Sequence, residues 1–253
     1  MSVELRWSYG VMTVPERRTT TLPLTLASLA AGGFHNPHLF VDGSIRGGEV
    51  MYPGYSVTSR DPNIRIHGNW TLSIHELFIR WPEADRFALF QDDILVYRNL
   101  RQYLDRCLYP TPGYLNLHTF PENHHLAVYD ENGQQREKEI KGWYKSNQLG
   151  KSAIALVFDR DALLTLLQSK FLLERPLNSS WGWRNVDGGI INALSRHGHH
   201  REYVHNPSLV QHQNGHESTF TTLLPEIRED YPPSPNWRGE NYDATELIKE
   251  CLE

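Results

Sequence analysis

The stretch best equipped for chemistry is Gln91-Asp92-Asp93, where two adjacent carboxylates interrupt an apolar run, with Phe87-Ala88-Leu89-Phe90 before them and Ile94-Leu95-Val96 after. Burying ionised carboxylates against hydrocarbon is unfavourable unless a cation or several hydrogen bonds compensate. Asp92 and Asp93 are therefore expected at a strand end facing a cleft. A divalent cation is the obvious counter-charge, because such oxygen ligands suit Mg²⁺ or Mn²⁺, which keep several waters and share substrate phosphates as further ligands. The plainer reading, a loop-end acid pair capping the next helix, has the same local signature.

The elements around this pair alternate. Leu5 to Thr13 reads as a strand, followed by the polar loop Val14-Pro15-Glu16-Arg17-Arg18-Thr19-Thr20, and Leu22 to Ala31 has helical spacing that stops at Gly32-Gly33. His38-Leu39-Phe40-Val41 reads as a second strand closed by Asp42-Gly43, and a third is expected at Asn63-Ile64-Arg65-Ile66-His67. A helix over Trp70 to Arg80 places Leu72, Ile74, Leu77, Phe78 and Trp81 near one face and is stopped by Pro82. Strands alternating with helices predict an α/β fold with a mostly parallel, helix-covered sheet. Ligands of such sheets bind beyond the carboxyl ends of the strands, where Thr13, Asp42 and Asp93 would converge.

The second half is less regular. Helices are expected over Asn99 to Leu108 and Asp161 to Gln168, and from Asn185-Val186-Asp187-Gly188-Gly189 to about Arg196. Strands are expected over Gly113 to His118 and Ser152 to Phe158, with a hairpin turning at Asn132-Gly133. A Pro-rich, charged tail carries one amphipathic stretch, Ala244 to Leu252. No linker or internal repeat divides the chain, so residues 1–253 read as a single domain.

Composition narrows the function classes. A net charge of −5 gives no global reason to bind nucleic acid or an anionic membrane. Cys107 and Cys251, the only cysteines, lie far apart and indicate neither a disulfide framework nor a cysteine zinc site. No membrane span and no secretory leader is evident, and the expectation is a cytoplasmic protein.

Four segments in order, Tyr9 to Arg17, Gln91-Asp92-Asp93, Asn185-Val186-Asp187 and Asn206-Pro207-Ser208-Leu209-Val210-Gln211-His212, resemble the motifs of GT-A-type, nucleotide-sugar-dependent glycosyltransferases, across most of residues 5–220. Gln91 stands where that family often has an acid, but the last acid of its metal motif, Asp93, is present. The resemblance implies a nucleotide-sugar half to about residue 98, an acceptor and catalytic half over about 99–220, and a tail over 221–253. It implies a UDP-sugar donor and Mn²⁺ or Mg²⁺ held by Asp93 and His212, with His216 in reserve. Thr13, Val14 and Arg17 would hold the nucleotide, and Asp92 would orient a bound water or the ribose. Asp42 would meet the ribose or base; Asn69 would reach the base or cap its helix.

Direct displacement at an anomeric carbon needs a carboxylate on the acceptor side, and Asp187, behind Trp181-Gly182-Trp183, is the expected general base of an inverting transfer. Trp181 and Trp183 offer faces to an acceptor sugar. The corresponding plain readings are a helix-capping aspartate, a surface arginine at 17, a solvated histidine at 212 and core tryptophans. A saccharide is the expected acceptor. Arg136, Lys138, Lys141, Lys145 and Lys151, interleaved with Trp143 and Tyr144, also admit a hydroxymethylated base in DNA. Two other classes compete. A metal phosphoesterase would draw on Asp92, Asp93 and the late histidines at 197, 199, 200, 205 and 212. A non-catalytic sugar-binding protein would use the tryptophans and show no metal dependence.

Overall fold

The computed structural model describes residues 5–44, 52–123, 127–129, 135–137, 140–173, 186–213 and 233–250. The first half contains β1 (Trp7–Thr13), a 3-10 turn (Pro15–Thr19), α1 (Thr21–Ala31), β2 (His38–Asp42), β3 (Val57–Arg60), α2 (Arg65–Arg80), β4 (Arg86–Gln91) and β5 (Ile94–Val96). The second half continues with α3 (Leu100–Arg106), β6 (Gly113–Asn116), β7 (Ala127–Tyr129), β8 (Gln135–Glu137), β9 (Gly142–Lys145), β10 (Ala155–Asp159), α4 (Arg160–Leu167) and α5 (Lys170–Leu173). Then come α6 (Val186–Ile191), a π turn (Asn192–His197), β11 (Arg201–Asn206), β12 (Val210–His212) and α7 (Glu246–Glu250).

Eight strands form one sheet in the order β3-β2-β1-β4-β10-β6-β11-β9. The β3-β2-β1-β4 half is parallel throughout. Strand β10 runs antiparallel to both β4 and β6, so β6 points the same way as β4, and β11 is parallel to β6. The carboxyl ends of β1, β2, β4 and β6 and the amino end of β10 therefore share one edge. This is the α/β fold expected, with a mostly parallel sheet covered by helices.

Both faces of the sheet are buried, which explains why β4 is continuously apolar rather than alternating. Phe87 and Leu89 join one core with Ile74, Leu77 and Leu163, whereas Ala88 and Phe90 join the other with Leu22, Leu29 and Leu104. The short strand β5 leaves the main sheet and is held by α1. Thr25 Oγ1 accepts the Ile94 N–H at 3.1 Å, and Ser28 Oγ accepts that of Val96 at 2.8 Å. Strand β12 returns to pair antiparallel with β5, with His212 opposite Ile94.

Two expectations are corrected. The third strand is Val57–Arg60, not Asn63–His67. The Ile64/Ile66 alternation resembles a strand, but Asp42 Oδ1 accepts the Ile64 N–H at 2.8 Å, Asn63 Oδ1 accepts that of Arg65 at 2.9 Å, and helix α2 starts at once. The buried face of α2 is Trp70, Ile74 and Leu77 with Asn69, Thr71 and Ser73, while Leu72 and Trp81 are exposed. The expected hairpin has its strands paired, Ala127 opposite Glu137, but its turn lies outside the described residues. Among the described residues no helix is long and apolar enough to cross a membrane.

Candidate active site

Asp92 and Asp93 follow the last residue of β4 and are both buried, at 2% and 4% exposure. Thr13, ending the neighbouring β1, donates its hydroxyl to Asp92 Oδ2, and the 3-10 turn behind it presents Arg17. Nη1 of Arg17 bridges the two acids, reaching Asp92 Oδ1 and, at 2.8 Å, Asp93 Oδ2. The β5–β12 pairing brings His212 in from the far end of the sequence, and its Nε2 lies 3.3 Å from Asp93 Oδ2. Gln213 N donates to the Asp93 carbonyl at 2.7 Å, while its side-chain amide binds Thr25 Oγ1 at 2.8 Å, tying this corner to α1.

The charges are finely balanced. Burial pushes the Asp92 carboxyl up, to about 6, against the opposing pull of Arg17. Burial acts on Asp93 in the same sense but is outweighed by the hydrogen bond and charge of His212 and by Arg17, which hold it down at about 2. Burial depresses the His212 imidazole, and Asp93 overrides this and raises it.

The residues present fit a divalent cation with a partly open coordination shell. Asp93 Oδ1 is buried and has no hydrogen-bond partner among the described residues, an arrangement that is costly without a cation or donor. The carbonyl of Gln213, 2.9 Å from His212 Nδ1, can only accept, so Nδ1 carries a proton and Nε2, which faces Asp93, is the ring nitrogen that would engage a cation in place of the proton it shares with Asp93. Among the described residues no three His, Cys, Asp or Glu side chains form a closed metal cage. Two protein ligands would leave the remaining positions to water and phosphate, as Mg²⁺ commonly requires.

The other expected residues are dispersed. Asp42 Oδ1 is committed to the Ile64 N–H at the entrance to α2. Asn69 lies a full turn inside α2 and does not cap it. Its Nδ2 donates to the Phe40 carbonyl at 3.1 Å, riveting α2 to β2. The Val14 carbonyl accepts the Arg17 N–H at 3.1 Å, closing the turn that carries the guanidinium. Trp181, Trp183 and His216 lie outside the described residues.

Asp187 is in the first turn of α6, half-buried, and its carboxylate reaches out of the helix to accept the N–H groups of Ser152 at 3.1 Å and Ala153 at 2.9 Å. Burial raises its carboxyl above the ordinary range, against those two donors. Gly150, with φ of +72°, allows this approach: a Cβ there would sit 2.8 Å from the Asp187 carbonyl.

Sequence reasoning missed a buried network centred on Glu202. Glu202 is 2% exposed and accepts from Asn116, Asn123 and Ser146, with the Ser146 hydroxyl at 2.6 Å. Asn116 also donates to the Lys151 carbonyl at 2.8 Å and accepts the His118 N–H, so Lys151 of the basic stretch belongs to this scaffold through its main chain. Lys141 and Lys145 are exposed. His118 is buried beyond the end of β6 with Nδ1 against Ser152 Oγ. Burial, then the nearby His212, lowers its imidazole to about 3, with Asp93 opposing. The late histidines do not all gather at the acids: His205 binds Tyr103 and the Pro207 carbonyl, and His200 lies against Thr165 and Asp161.

No protein-family model matches the chain, and no curated protein matches it by sequence. Among solved structures it resembles GalNAc-T7 crystallised with UDP, GalNAc and Mn²⁺, at a TM-score of 0.55 and 10% identity over 83% of this chain and 44% of that one. The chain thus spans less than half the length of that protein. Weaker likenesses are to A197 from STIV (TM-score 0.40, 13% identity, 85% of this chain and 97% of that one) and to a Bacillus anthracis protein described as a glucose-1-phosphate thymidylyltransferase, in complex with sucrose (0.39, 14%, 75% and 84%). The chain has a GT-A-like fold.

Proposed function

We propose that this protein is a metal-dependent glycosyltransferase that moves a sugar from a UDP-sugar to a saccharide hydroxyl with inversion. The observation that carries the reading is the meeting of Asp93 and His212 at the ligand edge of a GT-A-like sheet, with Asp93 Oδ1 unpartnered and the Thr13–Arg17 turn alongside. Asp93 and His212 would hold Mn²⁺ or Mg²⁺. Bound there, the ion would supply Lewis-acid neutralisation of the departing diphosphate.

The chain's own groups do the rest. Arg17, which bridges the two acids, would turn its fork of donors to a phosphate oxygen of the donor. Asp92, held by Thr13, orients water or ribose hydroxyl beside Asp93. Thr13, Val14 and Asp42 line the nucleotide side through the ends of β1 and β2. Asp187 takes the proton of the acceptor hydroxyl: its carboxyl, raised by burial, is a stronger base than a solvated one. Trp181 and Trp183 are proposed to stack on the acceptor. A two-metal phosphoesterase would need more ligands around Asp92 and Asp93, and His200 and His205 are engaged elsewhere.

The test is incubation with a panel of nucleotide sugars and saccharide acceptors, scoring released nucleoside diphosphate with and without Mn²⁺. Release confined to UDP-sugars and to Mn²⁺ or Mg²⁺ is expected. Hydrolysis of phosphate esters without sugar transfer would replace the reading with a phosphoesterase.

A further inference from the structure

His118 has a feature that its place in the core does not explain. Its Nε2 is buried and has no hydrogen-bond partner among the described residues, although the side chain is only 2% exposed. A buried ring nitrogen left unpaired costs free energy and calls for a ligand or a function. The rest of the ring is closely fixed. Nδ1 meets Ser152 Oγ, and the main chain of Ser152 and Ala153 is held by both oxygens of Asp187. Neighbouring main chain is pinned as well: Leu117 N donates to Ala155, Leu209 N donates to Leu117, and Thr119 N donates to Ser208 Oγ. His118 thus lies between the start of β10 and the segment that leads to His212.

We propose that His118 Nε2 is a contact for a hydroxyl of the transferred sugar, and that Asp187, through Ser152, is the positioning group that sets the imidazole. The inference rests on the UDP-sugar reading above. Strands β1 and β10 flank β4 on opposite sides, so Thr13 and Arg17 lie on one side of the acid pair and His118 and Ser152 on the other. A donor whose diphosphate straddles Asp93 with its nucleoside on the β1 side brings its sugar to the β10–β6 side.

The chemistry of the ring favours a hydroxyl. If Ser152 donates to Nδ1, Nε2 carries the proton and donates; if Nδ1 donates to Ser152, Nε2 accepts. A sugar hydroxyl satisfies either tautomer, whereas a phosphate oxygen satisfies only the first. A site built this way also discriminates strongly against sugars lacking the matching hydroxyl, because the nitrogen would stay buried and unpaired.

Calorimetry with UDP and with UDP-glucose, UDP-galactose, UDP-N-acetylglucosamine and UDP-N-acetylgalactosamine, all in Mn²⁺, tests this. His118→Ala is expected to bind UDP within about twofold of wild type and to lose about tenfold in affinity for the preferred UDP-sugar, the scale of one buried group left unpaired. His118→Gln should recover part of that loss, and Ser152→Ala should show a smaller one. Ser152→Ala carries the comparison if His118→Ala does not fold by circular dichroism. Equal losses for UDP and UDP-sugar, or no loss for either, would overturn the assignment. A wild-type protein that binds no UDP in Mn²⁺ would instead remove the donor reading on which it rests.

Discussion

Oδ2 of Asp93 and Nε2 of His212 lie 3.3 Å apart although one follows the end of the fourth strand and the other closes the twelfth. The short β5–β12 ladder makes this meeting, and Gln213 locks it by donating to the Asp93 carbonyl. Because Arg17 shares the same Asp93 oxygen, the two acids face a cation from the Pro15–Thr19 turn and an imidazole from the opposite end of the sequence.

Arg17 is therefore expected to stabilise the fold as well as to meet substrate. Removing one partner from a buried ion pair leaves uncompensated charge, so Arg17→Gln should lose about 3 kcal/mol in EDTA. Adding Mn²⁺ should raise the melting temperature of this variant more than that of wild type, since the ion restores positive charge at Asp93. Differential scanning fluorimetry in EDTA and in Mn²⁺ reads both effects. An Arg17→Gln protein as stable as wild type in EDTA would count against the pairing.

Asp187→Asn separates base from scaffold. The amide oxygen can keep one of the two N–H groups of residues 152 and 153, so stability should fall by only about 1–2 kcal/mol. Turnover should fall by about 10²- to 10⁴-fold, the usual contribution of a general base. NMR of the product should show inversion at the anomeric carbon. A folded variant with unimpaired transfer, or a product of retained configuration, would reassign the base.

His38 gives the fold a pH dependence away from the acids. Burial and then Arg80 lower its imidazole to about 4, while Nε2 binds Thr58 Oγ1 at 2.8 Å. The folded value lies below the unfolded one, so the unfolded chain takes up the proton first as pH falls. The contribution is complete above about pH 6.5 and is lost towards pH 4, amounting to as much as about 3 kcal/mol. The stability difference between wild type and His38→Asn, from urea midpoints at pH 7 and pH 4.5, should shrink over that interval. A difference independent of pH would mean that His38 titrates normally.

Much of this arrangement was legible in the sequence. An apolar run ending in Asp92-Asp93 reveals a strand delivering charge to an edge, and the Leu22 to Ala31 spacing gives α1 almost to the residue. The Asn63–His67 strand misled because an Ile-x-Ile alternation also fits a helix start once Asp42 captures the Ile64 N–H. His118 and Ser152 were missed for a topological reason. The rule that polar residues at carboxyl strand ends face the ligand was applied to β1, β2 and β4, but β6 shares their edge only because β10 inserts antiparallel between β4 and β6. Pairing order of that kind is set by tertiary packing and not by local pattern. Glu202 gave no local signal, since its role arises from four partners distant in sequence.

Calorimetric titration of UDP into wild type and Asp93→Asn, each in Mn²⁺ and in EDTA, tests the central claim most directly. Wild type should bind UDP at least about tenfold more tightly in Mn²⁺, because on the proposed reading the diphosphate would complete a coordination shell begun by Asp93 and His212. Asp93→Asn should lose that dependence and about 10²-fold in turnover, the scale of removing a principal electrostatic stabiliser. Equal UDP affinity for wild type in EDTA and in Mn²⁺ would contradict a metal held between Asp93 and the diphosphate.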